Sequence, residues 1–212
     1  MVTGASHGIG LAIASRLAAG GRRVVAIARS FDDAPRPEGV VALQCDLTRS
    51  DQILAAVEQV HRDGGQVDVL VNNAGLYMEG PFTGSSMAEA ADLVRVNVTG
   101  LIQMTHACLP DLLQTRGTIV NMATRNVQRA EDNQAVYSAT KFAVKGFSDS
   151  LRLELRGSGV RITTLYPGPV DTWGAETSEM LLLPGDVAEF VRVIVDSEGR
   201  IEVGEMSFDA VR

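Results

Sequence analysis

Tyr137 and Lys141 stand four positions apart in the run Tyr137-Ser138-Ala139-Thr140-Lys141. In a helix that spacing puts a phenol and an ammonium on one face, one turn from each other. A cation beside a phenol favours the phenolate, so a tyrosine whose ordinary pKa is about 10 is brought nearer to neutral pH, where it can exchange protons with a substrate. An amphipathic helix with a buried Tyr and a solvated Lys carries the same pair without any chemistry. The residues around the pair must decide.

A second constellation opens the chain. Thr3-Gly4-Ala5-Ser6-His7-Gly8-Ile9-Gly10 has the form T-G-x-x-x-G-x-G and leads into Leu11, Ile13, Ala14, Leu17 and Ala18, which are spaced as an amphipathic helix closed by Gly20-Gly21. Glycines let the backbone turn tightly and present N–H groups at a helix N-terminus, where the dipole and the unpaired donors favour a pyrophosphate. A glycine-rich turn capping an ordinary helix reads the same way at this stage. The strand that should precede these glycines retains only Met1 and Val2. The first strand is therefore expected to be very short, or the sequence to start late. Either would weaken the sheet that aims the loop and lower cofactor affinity or stability.

Composition narrows the classes of function. The 212 residues suffice for one large domain or two small ones, and 45% hydrophobic with 21% charged residues is ordinary for a soluble globular chain. A net charge of -7 offers no basic footprint for nucleic acid or an anionic membrane, although a small anion can still bind through local backbone N–H groups. Cys45 and Cys108 form neither a C-x-x-C pair nor a disulfide framework, no apolar run is long enough for a membrane span, and no export signal is read; a cytoplasmic setting is expected. The three histidines are scattered, and no His, Cys or carboxylate cluster has metal-ligand spacing.

The remaining elements follow from periodicity. Arg23 to Ala28 reads as a buried strand that ends at Arg29-Ser30, and Val40 to Cys45 as a third strand followed by Asp46. Ile53, Leu54, Val57 and Val60 mark a helix, and Val67 to Val71 a strand ending in Asn72-Asn73-Ala74-Gly75. A helical stretch from about Met87 to Thr115 is expected to break near Asn97-Val98-Thr99-Gly100, because Asn in mid-helix competes for backbone hydrogen bonds. Gly117 to Met122 is a strand running into Ala123-Thr124-Arg125-Asn126, and the helix of Tyr137 and Lys141 follows. Val160 to Leu165 is a strand closed by Tyr166-Pro167-Gly168-Pro169-Val170-Asp171-Thr172; a helix from Asp186 to about Val195 and a strand near Glu205 to Phe208 complete the chain.

Apolar strands alternating with helices predict an α/β fold with a parallel, doubly wound sheet, and such sheets bind ligands at the carboxyl ends of their strands. The glycines, Arg29, Asp46 and Asn72-Asn73-Ala74-Gly75 all fall at those ends, while the opposite turns, such as Gly20-Gly21 and Gly64-Gly65, contain only turn formers. No linker, repeat or low-complexity tract divides residues 1–212, which read as one domain. In a dinucleotide fold, an acidic residue about twenty positions past the glycines holds the ribose 2′-hydroxyl, whereas an arginine accepts a 2′-phosphate. Arg29 lies 19 residues after Gly10, with Ala28 where the acid would stand, which favours NADP(H) and leaves NAD(H) possible. Asp32 and Asp33 read as solvated turn residues or as a repellent to that phosphate.

With these residues placed, the sequence resembles the classical short-chain dehydrogenase/reductase family over nearly its whole length. The matching elements, in family order, are Thr3-Gly4-x-x-x-Gly8-x-Gly10, Asp46-Leu47, Asn72-Asn73-Ala74-Gly75, Asn97, Tyr137-x-x-x-Lys141 and Pro167-Gly168-x-Val170-x-Thr172. The resemblance implies a Rossmann-type sheet of about seven strands that binds NAD(P)(H) and moves a hydride between the nicotinamide and a carbonyl or alcohol carbon of a small molecule. It implies that Tyr137 is the general acid in reduction and the base in oxidation. Lys141 would hold the nicotinamide ribose and, with the positive nicotinamide, lower the Tyr137 pKa. Asn97 would hold a proton-relay water near Lys141. Gly4, Ser6, Gly8, Ile9 and Gly10 would wrap the pyrophosphate, and Asp46 and Leu47 would flank the adenine. Asn73, Ala74 and Gly75 would line the cofactor trough, and Thr172 with the Val170 backbone, in the Pro167-Gly168 loop, would orient the carboxamide. His7 occupies a position where many NADP-preferring relatives carry a basic residue.

Two departures from the family fall on the chemistry. The substrate-polarising Ser expected thirteen residues before the Tyr is Thr124, with Ala123 where a second Ser is usual. Threonine keeps the hydroxyl, while its methyl stiffens χ1 and narrows the pocket. The chain after Thr172 is also short, so the substrate lid, about residues 173–185, is compressed. Trp173, Met180, Leu181, Leu182 and Leu183 are expected either to cover the substrate or to pack on the domain or on another subunit, with Tyr77, Met78, Arg125, Asn126 and Gln128 on the other walls. Two readings follow: an NADP(H)-dependent carbonyl reductase or alcohol dehydrogenase, or a non-catalytic NAD(P)-binding sensor or regulatory module. Keeping Asn97, Tyr137 and Lys141 together favours the enzyme, because binding alone needs no proton relay. The family's habit of pairing through two long helices, here Val98 to Gln114 and Val136 to Arg156, suggests a homodimer or homotetramer.

Overall fold

The computed structural model describes residues 1–31, 36–172 and 181–211. Seven parallel strands form one sheet in the order β3-β2-β1-β4-β5-β6-β7. These are β1 (Val2–Thr3), β2 (Val24–Ala28), β3 (Val40–Gln44), β4 (Val69–Asn72), β5 (Thr118–Met122), β6 (Arg161–Pro167) and β7 (Glu205–Phe208). The helices are α1 (Gly8–Ala19), α2 (Ser50–Arg62), α3 (Met87–Val94), α4 (Leu101–Thr115), α5 (Ala135–Glu154) and α6 (Pro184–Asp196). This is the Rossmann-type doubly wound arrangement that the alternation of elements predicts.

Both faces of the sheet are covered, which is why β2, β4 and β5 are buried at every position and read as continuous apolar runs. On one face Ile13 and Leu17 of α1 pack with Val187, Val191 and Ile194 of α6 over β1 and β4. On the other, Ile53 and Val57 of α2, Met104 and Leu112 of α4 and Leu151 of α5 cover Ile27, Leu70, Ile119 and Ile162. Each such side chain, fully buried, contributes about 1.5–3 kcal/mol.

β1 is as short as the sequence suggests, and hydrogen bonds at Met1, the Thr3 hydroxyl and the Asn73 side chain tie it in. Met1 extends the ladder, its amino group donating to the Val69 carbonyl at 2.6 Å and its carbonyl accepting from the Val71 amide at 2.9 Å. The Thr3 hydroxyl accepts from the amides of Asn73 and Ala74, both at 3.0 Å. The Asn73 side-chain amide donates to the carbonyls of Thr3, at 3.0 Å, and Gly4, at 3.2 Å. The end of β4 thus clamps the start of the glycine loop, a role for Asn73 that its place in a motif does not announce.

Other boundaries shift for local reasons. The break expected near Asn97 is a π-helical stretch, Arg95–Gly100, between α3 and α4; such bulges recur at functional positions. β6 runs on to Pro167 rather than stopping at Leu165, because Thr164 to Pro167 pair with Glu205 to Phe208. α6 begins at Pro184, a residue suited to the first turn because its missing N–H would have no helical partner.

Candidate active site

A cleft of about 900 Å³ opens along the carboxyl ends of β1, β2, β4, β5 and β6. Its floor is the glycine loop. α1 starts at Gly8 with His7 in extended conformation, no side chain caps it, and no acidic residue stands in its first turn. Its glycine-rich start lines the cleft, and its first turn carries no carboxylate to repel an anion, an arrangement suited to a pyrophosphate. A Cβ added at Gly10 would stand 2.1 Å from the Gly4 carbonyl oxygen and 2.6 Å from Asn73 Nδ2, both fixed by the clamp on β1. Gly10→Ala is expected to spread the loop and weaken dinucleotide binding by about 10² or more, since backbone must move to relieve such an overlap. Isothermal titration with NADPH checks this, and an affinity within threefold of the parent would contradict it.

One end of the cleft is lined by Ala28, Arg29, Asp46 and Leu47. Asp46 accepts from the Thr48 amide and hydroxyl, both at 2.9 Å, and the amide contact above all holds its carboxyl below the usual range. Arg29 is exposed at the end of β2, close enough to favour the Asp46 carboxylate. Ser6 and His7 meet through Oγ and Nδ1 at 3.0 Å on the rim. Asp32 and Asp33 lie outside the described residues.

At the other end stand Thr124, Tyr137 and Lys141. Lys141 is buried, and its ammonium donates to the Met122 carbonyl at 2.9 Å. Burial lowers its pKa to about 8. Its Nζ lies 5.8 Å from the centre of the Tyr137 ring. Burial pushes Tyr137 up to about 12; the hydrogen bond with Thr124 works against that rise, and the Glu131 charge adds to it. The lowering that the Tyr–Lys spacing predicts is therefore not what the chain's own groups produce, because desolvation of the phenolate outweighs its neighbours.

Asn97 is 1% exposed and does not line the cleft. Its carbonyl accepts from the Leu76 amide at 2.7 Å, while its NH₂ donates to the Leu76 carbonyl at 2.9 Å and to Thr140 Oγ1 at 3.1 Å. It stands behind Gly75: a Cβ there would be 3.4 Å from Asn97 Oδ1 and 3.5 Å from Lys141 Nζ. The π-helical turn thus brings Asn97 and Lys141 to one spot from separate helices.

Every other cofactor-site residue expected from the sequence lines this one cleft: Gly4, Ser6, His7, Gly8, Ile9, Gly10, Asn73, Ala74, Gly75, Pro167, Gly168, Val170 and Thr172, together with those already placed. Of the expected substrate walls, Tyr77, Arg125 and Asn126 line it, whereas Gln128 faces a neighbouring groove and Met78 lines neither. Leu181, Leu182 and Leu183 do not line the cleft. Leu182 is buried in a bridge to Val170, bonded to Pro169 and Asp171, and Leu183 is exposed. Trp173 and Met180 lie outside the described residues. Glu131 and Gln134 also line the cleft, and sequence reasoning missed both. Gln134 precedes α5 three residues before Tyr137, so the helical offset that pairs Tyr137 with Lys141 would have pointed to it.

The pattern of the short chain dehydrogenase family matches residues 1–180, and the chain belongs to that family as one of its classical oxidoreductases. An uncharacterised oxidoreductase of Staphylococcus saprophyticus is 32% identical, with 98% of this chain and 94% of that protein covered. Among solved structures, an alcohol dehydrogenase of the archaeon Thermococcus sibiricus complexed with 5-hydroxy-NADP superposes with a TM-score of 0.91 at 27% identity, over 99% of this chain and 95% of the other. A 3-ketoacyl-(acyl-carrier-protein) reductase of Brucella melitensis complexed with NADH gives 0.89 at 28% identity, over 98% and 95%. Among the described residues no helix is long and apolar enough to cross a membrane, and no group of three His, Cys, Asp or Glu side chains could hold a metal ion.

Proposed function

We propose that this oxidoreductase moves a hydride between NADP(H) and a carbonyl or alcohol carbon of a small molecule, with Tyr137 as its proton donor and acceptor. The observation that carries this reading is one cleft lined both by the glycine-rich start of α1 and by Thr124, Tyr137 and Lys141. Bound there, the nicotinamide would supply or accept the hydride. The glycine loop and the first amides of α1 hold the pyrophosphate, Asp46 and Leu47 flank the adenine, and the Pro167 to Thr172 loop orients the carboxamide. Lys141 holds the ribose, and Thr124 donates a hydrogen bond to the substrate oxygen while Tyr137 delivers its proton to it. Asn97 fixes the Leu76 backbone and the approach to Lys141. Titration with NADPH and NADH, followed by a screen of ketones and alcohols, tests the proposal. Tight binding without hydride transfer across a wide panel would return the chain to the class of dinucleotide-binding modules.

Arg29 supports NADP(H), while relatives bound to NADH and to an NADP derivative support either cofactor. Arg29→Ala is expected to weaken NADPH about tenfold or more, the cost of a charge-assisted hydrogen bond, and to leave NADH unchanged. Equal losses for both cofactors in fluorescence titrations would remove Arg29 from 2′-phosphate recognition.

Thr124→Ser is expected to retain or raise turnover, because the hydroxyl stays and the crowding methyl goes. Thr124→Ala is expected to lower kcat by about 10² to 10³, the cost of one polarising donor. Equal rates for the parent and both variants would show that Thr124 is not the donor.

A further inference from the structure

A chain of polar side chains runs from Thr124 to the rim of the cleft. The Thr124 hydroxyl donates to Asn126 Oδ1 at 3.4 Å, and Asn126 Nδ2 donates to Gln134 Oε1. Gln134 Nε2 donates to the Tyr77 hydroxyl at 2.9 Å and to Glu131 Oε2 at 3.3 Å, and Tyr77 donates to Glu79 Oε2 at 2.6 Å. Asn126 is 4% and Gln134 9% exposed, so the bond between them is shielded from water, while Tyr77 and Glu79 stand at the solvated rim. Tyr77 also packs edge-on against Tyr137, with ring centres 4.9 Å apart.

The direction of the chain is fixed at its outer end. Ionised carboxylates only accept, so Gln134 must turn its NH₂ toward Glu131 and Tyr77. Its carbonyl then faces Asn126, whose NH₂ it takes. Asn126 is left presenting its own carbonyl to Thr124. Flipping either amide would set two donors or two acceptors against each other in a buried place, at a cost of about 1–3 kcal/mol.

Threonine makes this acceptor matter more than serine would. A 120° change of χ1 in threonine puts the methyl where the hydroxyl was, which converts a polarising donor into a steric block. We propose that Asn126, itself oriented by Gln134, is a positioning residue that holds Thr124 in the rotamer presenting its hydroxyl to the substrate oxygen. The proposal rests on Thr124 being the donor. At 3.4 Å the contact with Asn126 is long for an O–H···O bond, so it orients the Thr124 hydroxyl without tying up its one proton, which stays available to Tyr137 or to a substrate oxygen. The rotamer is stored in the protein and does not have to be selected during each encounter.

The test reads the rotamer and the rate separately. Three-bond couplings from the Thr124 methyl carbon to its backbone nitrogen and carbonyl report χ1 in solution, the methyl being assigned by its loss in Thr124→Ser. The parent protein is expected to show one rotamer, and Asn126→Leu and Gln134→Met to show averaged couplings. Gln134→Met keeps Asn126 itself, so it decides the matter if Asn126→Leu does not fold. Averaged couplings in the parent, or unaltered ones in the folded variants, would overturn the proposal whatever the enzyme does. In turnover assays each variant is expected to lose about tenfold in kcat, less than loss of the donor itself. In a Thr124→Ala background neither is expected to cost anything further, because the effect passes through Thr124; additive losses would show that the amides serve stability alone. A parent with no hydride transfer on any substrate would defeat the proposed function, and the couplings would still decide whether the amides set the rotamer.

Discussion

Replacing Tyr137 with Phe is expected to lower kcat by about 10³ while changing the affinity for NADPH by no more than a few fold. The substitution deletes one oxygen and keeps the ring that packs against Tyr77, so the walls of the cleft persist and only the proton route is lost. General acid–base groups contribute typically about 10²–10⁴. The pH profiles of the two directions should differ, reduction staying level where oxidation climbs. Reduction needs the proton on Tyr137, and with burial pushing the phenol up to about 12 the protonated form prevails across the neutral and mildly alkaline range. Oxidation needs the phenolate, so its rate should climb with pH by up to about tenfold per unit below the pKa that governs it. A Phe variant within tenfold of the parent, or an oxidation rate flat from pH 6 to 10, would remove Tyr137 from the chemistry.

The same pKa separates what the sequence conveys from what it does not. The parallel sheet was legible because burial on both faces leaves a plain signature: Val24–Ala28 and Thr118–Met122 carry no outward-facing polar alternation. The gathering of the glycines, Asp46, Asn73 and Thr124 was legible for a related reason, since every crossover in such a sheet returns the chain to the same edge. Spacing along one helix also placed Tyr137 and Lys141 together. It did not give the balance between desolvation and charge, which depends on Met122, Thr124 and Glu131, contributed by β5 and the loop after it. Gln134 escaped notice, and Asn126 was legible only as a wall of the substrate pocket, because each is an unremarkable polar residue alone. Their meaning lies in mutual orientation, and that is set by two carboxylates from different loops. Asn97 was found as an oddity in a helix, but the π-helical turn that aims it at Leu76 is a packing outcome.

Lys141→Met should make the protein more stable and far less active. Lys141 has an ordinary pKa of 10.5 that burial lowers to about 8, which means that the folded chain disfavours the ammonium it holds. Because the folded pKa lies below the unfolded one, this penalty is fully present below about pH 8 and fades as pH rises toward 10.5. At full strength it is on the order of 3 kcal/mol by linkage, offset in part by about 1 kcal/mol for the lost bond to the Met122 carbonyl. A methionine of similar length fills the same space without charge, so Tm at pH 7 is expected to rise by a few degrees, and the gain should shrink as the pH passes 9. If Lys141 holds the ribose as proposed, loss of the cation removes that contact together with the charge 5.8 Å from the Tyr137 ring, so kcat/KM should fall by about 10² or more. Calorimetry of parent and variant across pH 6 to 10, beside turnover at each pH, gives both readings. A lower Tm for the variant at pH 7 would mean that Lys141 is a structural cation, and a gain independent of pH would mean that the buried charge is not the source of the gain. The expected pairing of a stability gain with an activity loss would instead mark a charge kept in the core at the fold's expense, where it reaches both Tyr137 and the cleft.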